Sequence, residues 1–98
     1  QKLYEDDEVY AFRDIAPQAP VHFLVVPKKH IRNVMEAQQD DVPLLGKLLF
    51  TAQQLLASEG CAERGGRLVL NCKADGMQTV DHIHVHVLGG RPLGWPPG

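Results

Sequence analysis

The chain has 98 residues, enough for one domain and too few for two. Ten Lys and Arg against twelve Asp and Glu leave a formal charge of −2, and 44% of the residues are hydrophobic. That balance excludes a broad basic surface for nucleic acid and a disordered tail. The short apolar runs exclude a membrane-spanning helix, and two cysteines, Cys61 and Cys72, cannot build a disulfide framework.

In chain order, Gln1-Lys2-Leu3-Tyr4 runs straight into strand-like sequence with no initiator Met, which predicts a missing N-terminal segment. Residues 3–5 and 8–12 flank the turn-prone pair Asp6-Asp7 and predict a hairpin. Pro17 and Pro20 then rule out a helix interior or a central strand, so 13–20 is expected to be an ordered loop. Val21 to Val26 is β-branched and aromatic and predicts a central strand covered on both faces. Ile31, Val34 and Met35, spaced i, i+3, i+4, predict one short helix.

Asp40 or Asp41 is placed to cap the main helix, with Pro43 in its first turn. Leu44, Leu45, Leu48, Leu49, Ala52, Leu55 and Leu56 trace one apolar stripe, and Gly60 is the stop, which predicts a helix over about 42–59. Strands are expected over 67–72 and 80–88, separated by the loop from Lys73 to Gln78. Residues 89–98, rich in Gly and Pro, form an extended tail. This order predicts an α+β fold on a mainly antiparallel sheet, with 1–98 as a single domain. A chain this short leaves much surface exposed, so a partner subunit would help it.

His82-Ile83-His84-Val85-His86-Val87-Leu88 carries most of the chemistry. Strand side chains alternate, so His82, His84 and His86 share one face, and Ile83, Val85 and Val87 face the core. The plain alternative is three solvated histidines on an amphipathic strand. A second is a metal site. The outer two histidines are roughly 13 Å apart along a strand, too far for one zinc, so a ligand such as His22 would be needed. The third is nucleophilic catalysis by a neutral imidazole whose tautomer a neighbour fixes. His84, flanked on both sides by polar partners, is the natural nucleophile. The loop Asp75-Gly76-Met77-Gln78-Thr79 can offer backbone N–H groups and a hydroxyl to phosphate oxygens.

These residues resemble the histidine-triad pattern of the HIT superfamily. With Asp14-Ile15-Ala16-Pro17-Gln18-Ala19-Pro20, Pro27-Lys28-Lys29-His30 and the tail from Leu88 to Gly98, the chain is similar to the Hint branch, the histidine-triad nucleotide-binding proteins. The resemblance covers nearly the whole chain. It implies a HIT-like fold in a two-fold homodimer and a purine nucleoside phosphoramidase that releases AMP from AMP-amine conjugates and acyl-adenylates. No metal or other cofactor is implied. His84 would be the nucleophile, forming a nucleotidyl-histidine. His86 would hydrogen-bond the phosphate, and His82 and His22 would orient the triad. Asp14 would take the ribose hydroxyls, with Ile15 and Phe12 at the base. Asn71 would hold the ribose and phosphate side, Met77, Gln78 and Val85 would border the nucleotide, and Thr79 would assist the leaving group. Trp95 would cross to the partner's active-site rim.

Three positions depart from the branch pattern. Met77 stands where Gly or Ala is usual, Asp81 where Tyr is common, and Thr79 where Ser is more usual. They bear on substrate preference rather than on the reaction. The nucleotidylyl-transferase branch carries Gln at the last triad position, whereas this chain has His86. A nucleotide-binding regulator with little turnover and a zinc-binding domain remain alternatives. His30 is expected to be a loop or helix-start residue, and Lys28 and Lys29 a solvated turn. With no leader in these residues the cytoplasm is the expected location, and the missing N-terminus leaves nucleus or organelle open.

Overall fold

The hairpin forms as its sequence predicts, from β1 (Lys2–Glu5) and β2 (Val9–Arg13). Its turn is built by Asp6, whose Oδ1 accepts from the backbone N–H groups of Glu8 at 2.8 Å and Val9 at 2.9 Å. Lys47, these backbone donors and the Tyr4 hydroxyl hold the Asp6 carboxyl well below the usual carboxylate range. The structure is a computed structural model that describes residues 1–98. After the proline loop, β3 (Val21–Pro27) pairs antiparallel with β2 on one side and with β5 (Val85–Gly89) on the other. β4 (Gly66–Val69) closes the far edge, so the sheet order is β1-β2-β3-β5-β4. Every pairing is antiparallel.

One helix, α1 (Val42–Leu56), lies across one face of this sheet. Leu48 and Ala52 from its stripe pack with Val9, Ala11, Phe23, Val25, Val85 and Val87 in a single apolar cluster. The helix is shorter than predicted. It gives way at Ala57–Cys61 to a wider turn in which Gly60 takes φ 88°, a left-handed conformation that Gly adopts freely. Asp41 stands at the N-terminus, but its carboxylate accepts from Gln38 N and Lys29 instead of capping α1. The predicted short helix is a single 3₁₀ turn, Val34–Glu36, capped by Asn33 Oδ1. Ile31, expected on that helix, is instead buried in irregular chain before it, where its carbonyl accepts from Ile83 N at 2.7 Å.

Both late strands are shorter than the sequence predicts. The β3–β5 ladder pairs Val25 with Val85, so the next bonded pair would set Pro27 opposite Ile83. Pro27 has no N–H to give, and the ladder ends there. His82 and His84 therefore precede β5, and only His86 lies within it. The alternation still holds through this stretch: Ile83, Val85 and Val87 are fully buried, and the histidines between them are half-buried. β3 is central, as predicted, but no second layer covers its other face. Leu24 and Val26 line an open cavity there.

Candidate active site

The cavity on the face opposite α1 has a volume of about 400 Å³. Its walls are Phe12 and Asp14 from the end of β2, Leu24 and Val26 from β3, and Thr79 and Val80 from the loop before the triad. His82, His84 and His86 stand along one side. A larger cleft of about 540 Å³ lies beyond the end of α1. Its only ionisable side chains are Cys61, Arg64 and Arg91. It therefore pairs no nucleophile with a base, and the chemistry belongs to the smaller cavity.

Backbone partners settle which ring nitrogens carry protons, because a carbonyl only accepts and an amide N–H only donates. The Gln18 backbone N–H donates to His22 Nδ1 at 3.0 Å. His22 therefore carries its proton on Nε2 and donates it to His86 Nδ1 at 2.9 Å. His86 is left with its proton on Nε2. In His84 the order is reversed: Nδ1–H donates to the His82 carbonyl at 2.8 Å, which leaves the lone pair on Nε2. The two rings stand edge to face with centroids 5.1 Å apart. The cavity wall thus holds one imidazole lone pair beside one imidazole N–H donor.

Burial is the main force that lowers the His86 pKa, helped by His84 and His22 and opposed by Asp14. The network agrees with that direction, since a second proton on His86 Nδ1 would face the His22 N–H. Asp14 Oδ2 lies 3.5 Å from His22 Nε2 and 3.9 Å from His86 Nδ1. Its other oxygen accepts from the Ala16 N–H at 2.8 Å, which holds the carboxylate at the cavity edge.

Asp14, His22 and His86 offer ligand atoms within 4.8 Å of one another, so they are the candidate metal set. They fit a zinc ion poorly. His22 Nδ1 is spent on Gln18, and His22 Nε2 carries the proton shared with His86. Two nitrogens on one tetrahedral zinc stand about 3.3 Å apart at the usual bond lengths. The observed 2.9 Å is a hydrogen-bond separation with a proton inside it.

Comparison with known proteins places the whole fold. The HIT domain family model matches residues 1–93. The chain belongs to the HIT family. A crystal structure of a HIT family hydrolase from Legionella pneumophila Philadelphia 1 is 49% identical, with a TM-score of 0.97, and the match covers 99% of this chain and 87% of that one. A HIT relative from Brassica juncea, named 14 kDa zinc-binding protein, is 48% identical over 98% of this chain and 86% of its own length. A histidine triad nucleotide-binding protein from Candida albicans is 28% identical at a TM-score of 0.79, over 99% of this chain and 74% of that one.

Of the residues expected at the site, this HIT domain brings Phe12, Asp14, Thr79, His82, His84 and His86 to one cavity. His22 stands behind the wall. Ile15 is beside Asp14 but 99% exposed, free to meet a ligand from the solvent side. Val85 has its side chain buried in the core and offers only its backbone to a ligand. Gln78 is committed to its own loop. Its amide donates to the carbonyls of Arg32 and Val80 and accepts from Lys73 N–H, so it builds the loop. Asn71 is half-buried and outside the cavity lining. Met77 is 75% exposed at φ 60° on the same loop, also outside the lining. Trp95 is exposed in the tail, outside the cavity lining, with the Arg67 guanidinium 5.9 Å above its ring.

Leu24, Val26 and Val80 were not expected at the site. The first two share the His22 face of β3, so strand parity could have found them. His30 reads in the sequence as a loop or helix-start residue, yet its Nδ1 lies 2.9 Å from His82 Nδ1. No periodicity marks a contact between two loops. No helix is long and apolar enough to cross a membrane.

Proposed function

We propose that this HIT domain is a hydrolase that cleaves the P–N bond of adenosine 5′-phosphoramidates, with acyl-adenylates as further substrates, and releases AMP. The observation that carries this reading is the pair of opposed tautomers, with the lone pair on His84 Nε2 and the proton on His86 Nε2. Attack at phosphorus needs a nucleophile on one side of the phosphoryl group and a preorganised donor for its oxygens. The names of the Legionella and Candida proteins, a hydrolase and a nucleotide-binding protein, support the reaction class and the ligand class.

His84 Nε2 attacks the α-phosphorus as the P–N bond breaks. The departing amine takes a proton through the Thr79 hydroxyl, which solvent replenishes. The new nucleotidyl-imidazolium keeps its Nδ1–H on the His82 carbonyl, which stabilises the positive ring. Water then attacks phosphorus, the P–Nε2 bond breaks, and AMP leaves. Water's remaining proton goes to solvent and balances the one taken earlier. His86 Nε2–H holds a phosphate oxygen throughout. Asp14 takes the ribose hydroxyls, Phe12, Leu24 and Val26 wall the base, and Ile15 closes over it from solvent. No step requires a metal.

We assign the active form to a two-fold homodimer in the cytoplasm. Support comes from the outer edge of β4, which is free to pair, and from Leu49 and Phe50, exposed on α1. In that assembly Trp95 contributes to the partner's rim. Sedimentation at micromolar concentration is expected to give twice the chain mass.

The test is a panel of AMP-lysine, AMP-alkylamides, GMP analogues and dinucleoside polyphosphates. AMP release from the phosphoramidates is expected, together with a nucleotidyl adduct on His84 trapped by an alkaline denaturing quench. His84→Ala is expected to retain AMP binding and lose at least about 10³-fold in kcat. Unchanged turnover in that variant overturns the nucleophile, preference for dinucleoside polyphosphates overturns the substrate class, and AMP binding with no turnover in the wild type leaves a regulator.

A further inference from the structure

Residues 30 and 31 hold a single peptide unit of the active site from two directions. That unit is His82–Ile83. Its N–H donates to the Ile31 carbonyl at 2.7 Å, and its C=O accepts the Nδ1–H of His84 at 2.8 Å. The position of this carbonyl decides which nitrogen of His84 is free to react. The His82 ring is attached to the same unit, and it too is clamped at both nitrogens. Its Nε2 lies 2.7 Å from the Pro27 carbonyl, and its Nδ1 lies 2.9 Å from His30 Nδ1.

The proton positions follow from these partners. The Pro27 carbonyl can only accept, so His82 carries its proton on Nε2. In the neutral ring His82 Nδ1 then has only a lone pair, so His30 donates across the 2.9 Å contact from its Nδ1. His30 therefore keeps Nδ1–H and turns Nε2 toward solvent. Without that donor, the His82 lone pair would lack its protein partner beside the cavity, and the ring could turn over and release Pro27. The turn would pull on the peptide that aligns His84.

We infer that His30 is a positioning residue for the nucleophile: its Nδ1–H fixes the His82 tautomer and, through the His82 peptide, the direction of the His84 lone pair. It touches no substrate and needs none of its own acid–base chemistry. What it supplies is a donor at one point. Asn places an amide N–H close to where histidine has Nδ1, so Asn is the conservative replacement. Ala removes the donor. His30 is exposed, so neither change disturbs the core.

This inference rests on His84 as nucleophile for its kinetic consequence, but its structural half can be read without substrate. Ring ¹⁵N spectra of the free protein separate protonated from unprotonated imidazole nitrogens. The wild type is expected to show His82 protonated at Nε2 only and His84 at Nδ1 only. In His30→Ala both patterns are expected to become mixtures, and kcat for AMP-lysine is expected to fall about tenfold with KM within about twofold, the scale seen when an outer partner of a working histidine is lost. His30→Asn is expected to restore single tautomers and bring kcat back within about threefold. A His82 proton on Nδ1 in the wild type overturns the assignment. So do unchanged spectra in His30→Ala, or an Asn variant that behaves like Ala. If the wild type cleaves no substrate of the panel, the catalytic reading fails, and the His82 and His84 spectra still decide the role of His30.

Discussion

His22 donates to His86 across 2.9 Å, and the direction of that bond is fixed on the far side of the His22 ring by the Gln18 backbone N–H. One amide in the proline loop thereby places a proton two rings away, at the cavity wall. His22→Phe keeps the ring's shape in a buried position and removes both nitrogens. His86 is then free to carry its proton on Nδ1, nearer Asp14, and the cavity loses its donor in that fraction of molecules. The expected result is a fall in kcat of about 10- to 100-fold with KM little changed, measured by steady-state AMP release. A kcat equal to the wild type would break the link between Gln18 and the reaction.

The lowered pKa of His86 carries a stability consequence with a definite sign. Burial disfavours its charged form in the folded chain, so the folded value lies below the ordinary 6.5. Between the folded value and 6.5 the unfolded chain binds more protons, and stability rises with pH there. The contribution is complete above about pH 6.5 and is lost as pH falls through that window. Urea melts from pH 7.5 to 5 are expected to show this loss, and His86→Gln is expected to flatten it. A variant whose pH dependence matches the wild type would place the titration elsewhere.

The fold was legible where a period runs uninterrupted. The leucines from Leu44 to Leu56 announced α1, and the alternation from Ile83 to Val87 announced which residues enter the core. Element ends were less legible, because they depend on partners distant in sequence. β5 begins at Val85 because Pro27 on another strand has no N–H to continue the ladder. Ile31 fits a helical spacing, but its carbonyl is taken by Ile83 and it lies outside the helical turn. At the site, the triad and Asp14 were legible as chemistry-bearing types in a known pattern. His30 was not, since its partner His82 is 52 residues away and neither lies in a strand.

Met77 holds a left-handed backbone, φ 60°, that costs an ordinary side chain about 1–2 kcal/mol. Its side chain is 75% exposed and recovers little by burial. Gly adopts that conformation without the steric cost but gives up roughly 0.5–1 kcal/mol of chain entropy. Met77→Gly is therefore expected to stabilise the domain by about 0.5 kcal/mol, read from the urea midpoint. If the thioether narrows the leaving-group side, the same variant is expected to lower KM for bulky AMP-amides more than for small ones. A destabilised variant would mean that the methionine side chain makes a contact worth more than its strain.

Leu48 joins α1 to the sheet, 2% exposed and packed in the same cluster as Phe23 and Val87. Leu48→Ala is expected to cost about 2–5 kcal/mol, since a cavity remains where the helix meets two strands. The active site lies on the opposite face of the sheet, so kcat at 20 °C is expected to stay within about twofold of the wild type while the folded fraction is high. A cost under about 1 kcal/mol would show that α1 settles onto the sheet without that side chain.

Zinc offers a direct test of the proton network. A zinc ion held by Asp14, His22 and His86 must displace the proton between His22 Nε2 and His86 Nδ1. It must also open a 2.9 Å pair to about 3.3 Å. Such binding would release a proton, so it would strengthen as pH rises. His86 bound through Nδ1 would keep its Nε2–H, but opening the His22–His86 pair would shift that donor on the cavity wall, and Asp14 would no longer be free for the ribose. Zinc and turnover are therefore expected to compete. Dialysis against a chelator is expected to leave kcat unchanged, and added zinc is expected to inhibit, more strongly at pH 8 than at pH 6.5. Stoichiometric zinc in the purified protein, lost to the chelator together with activity and restored with it, would overturn the metal-free reaction.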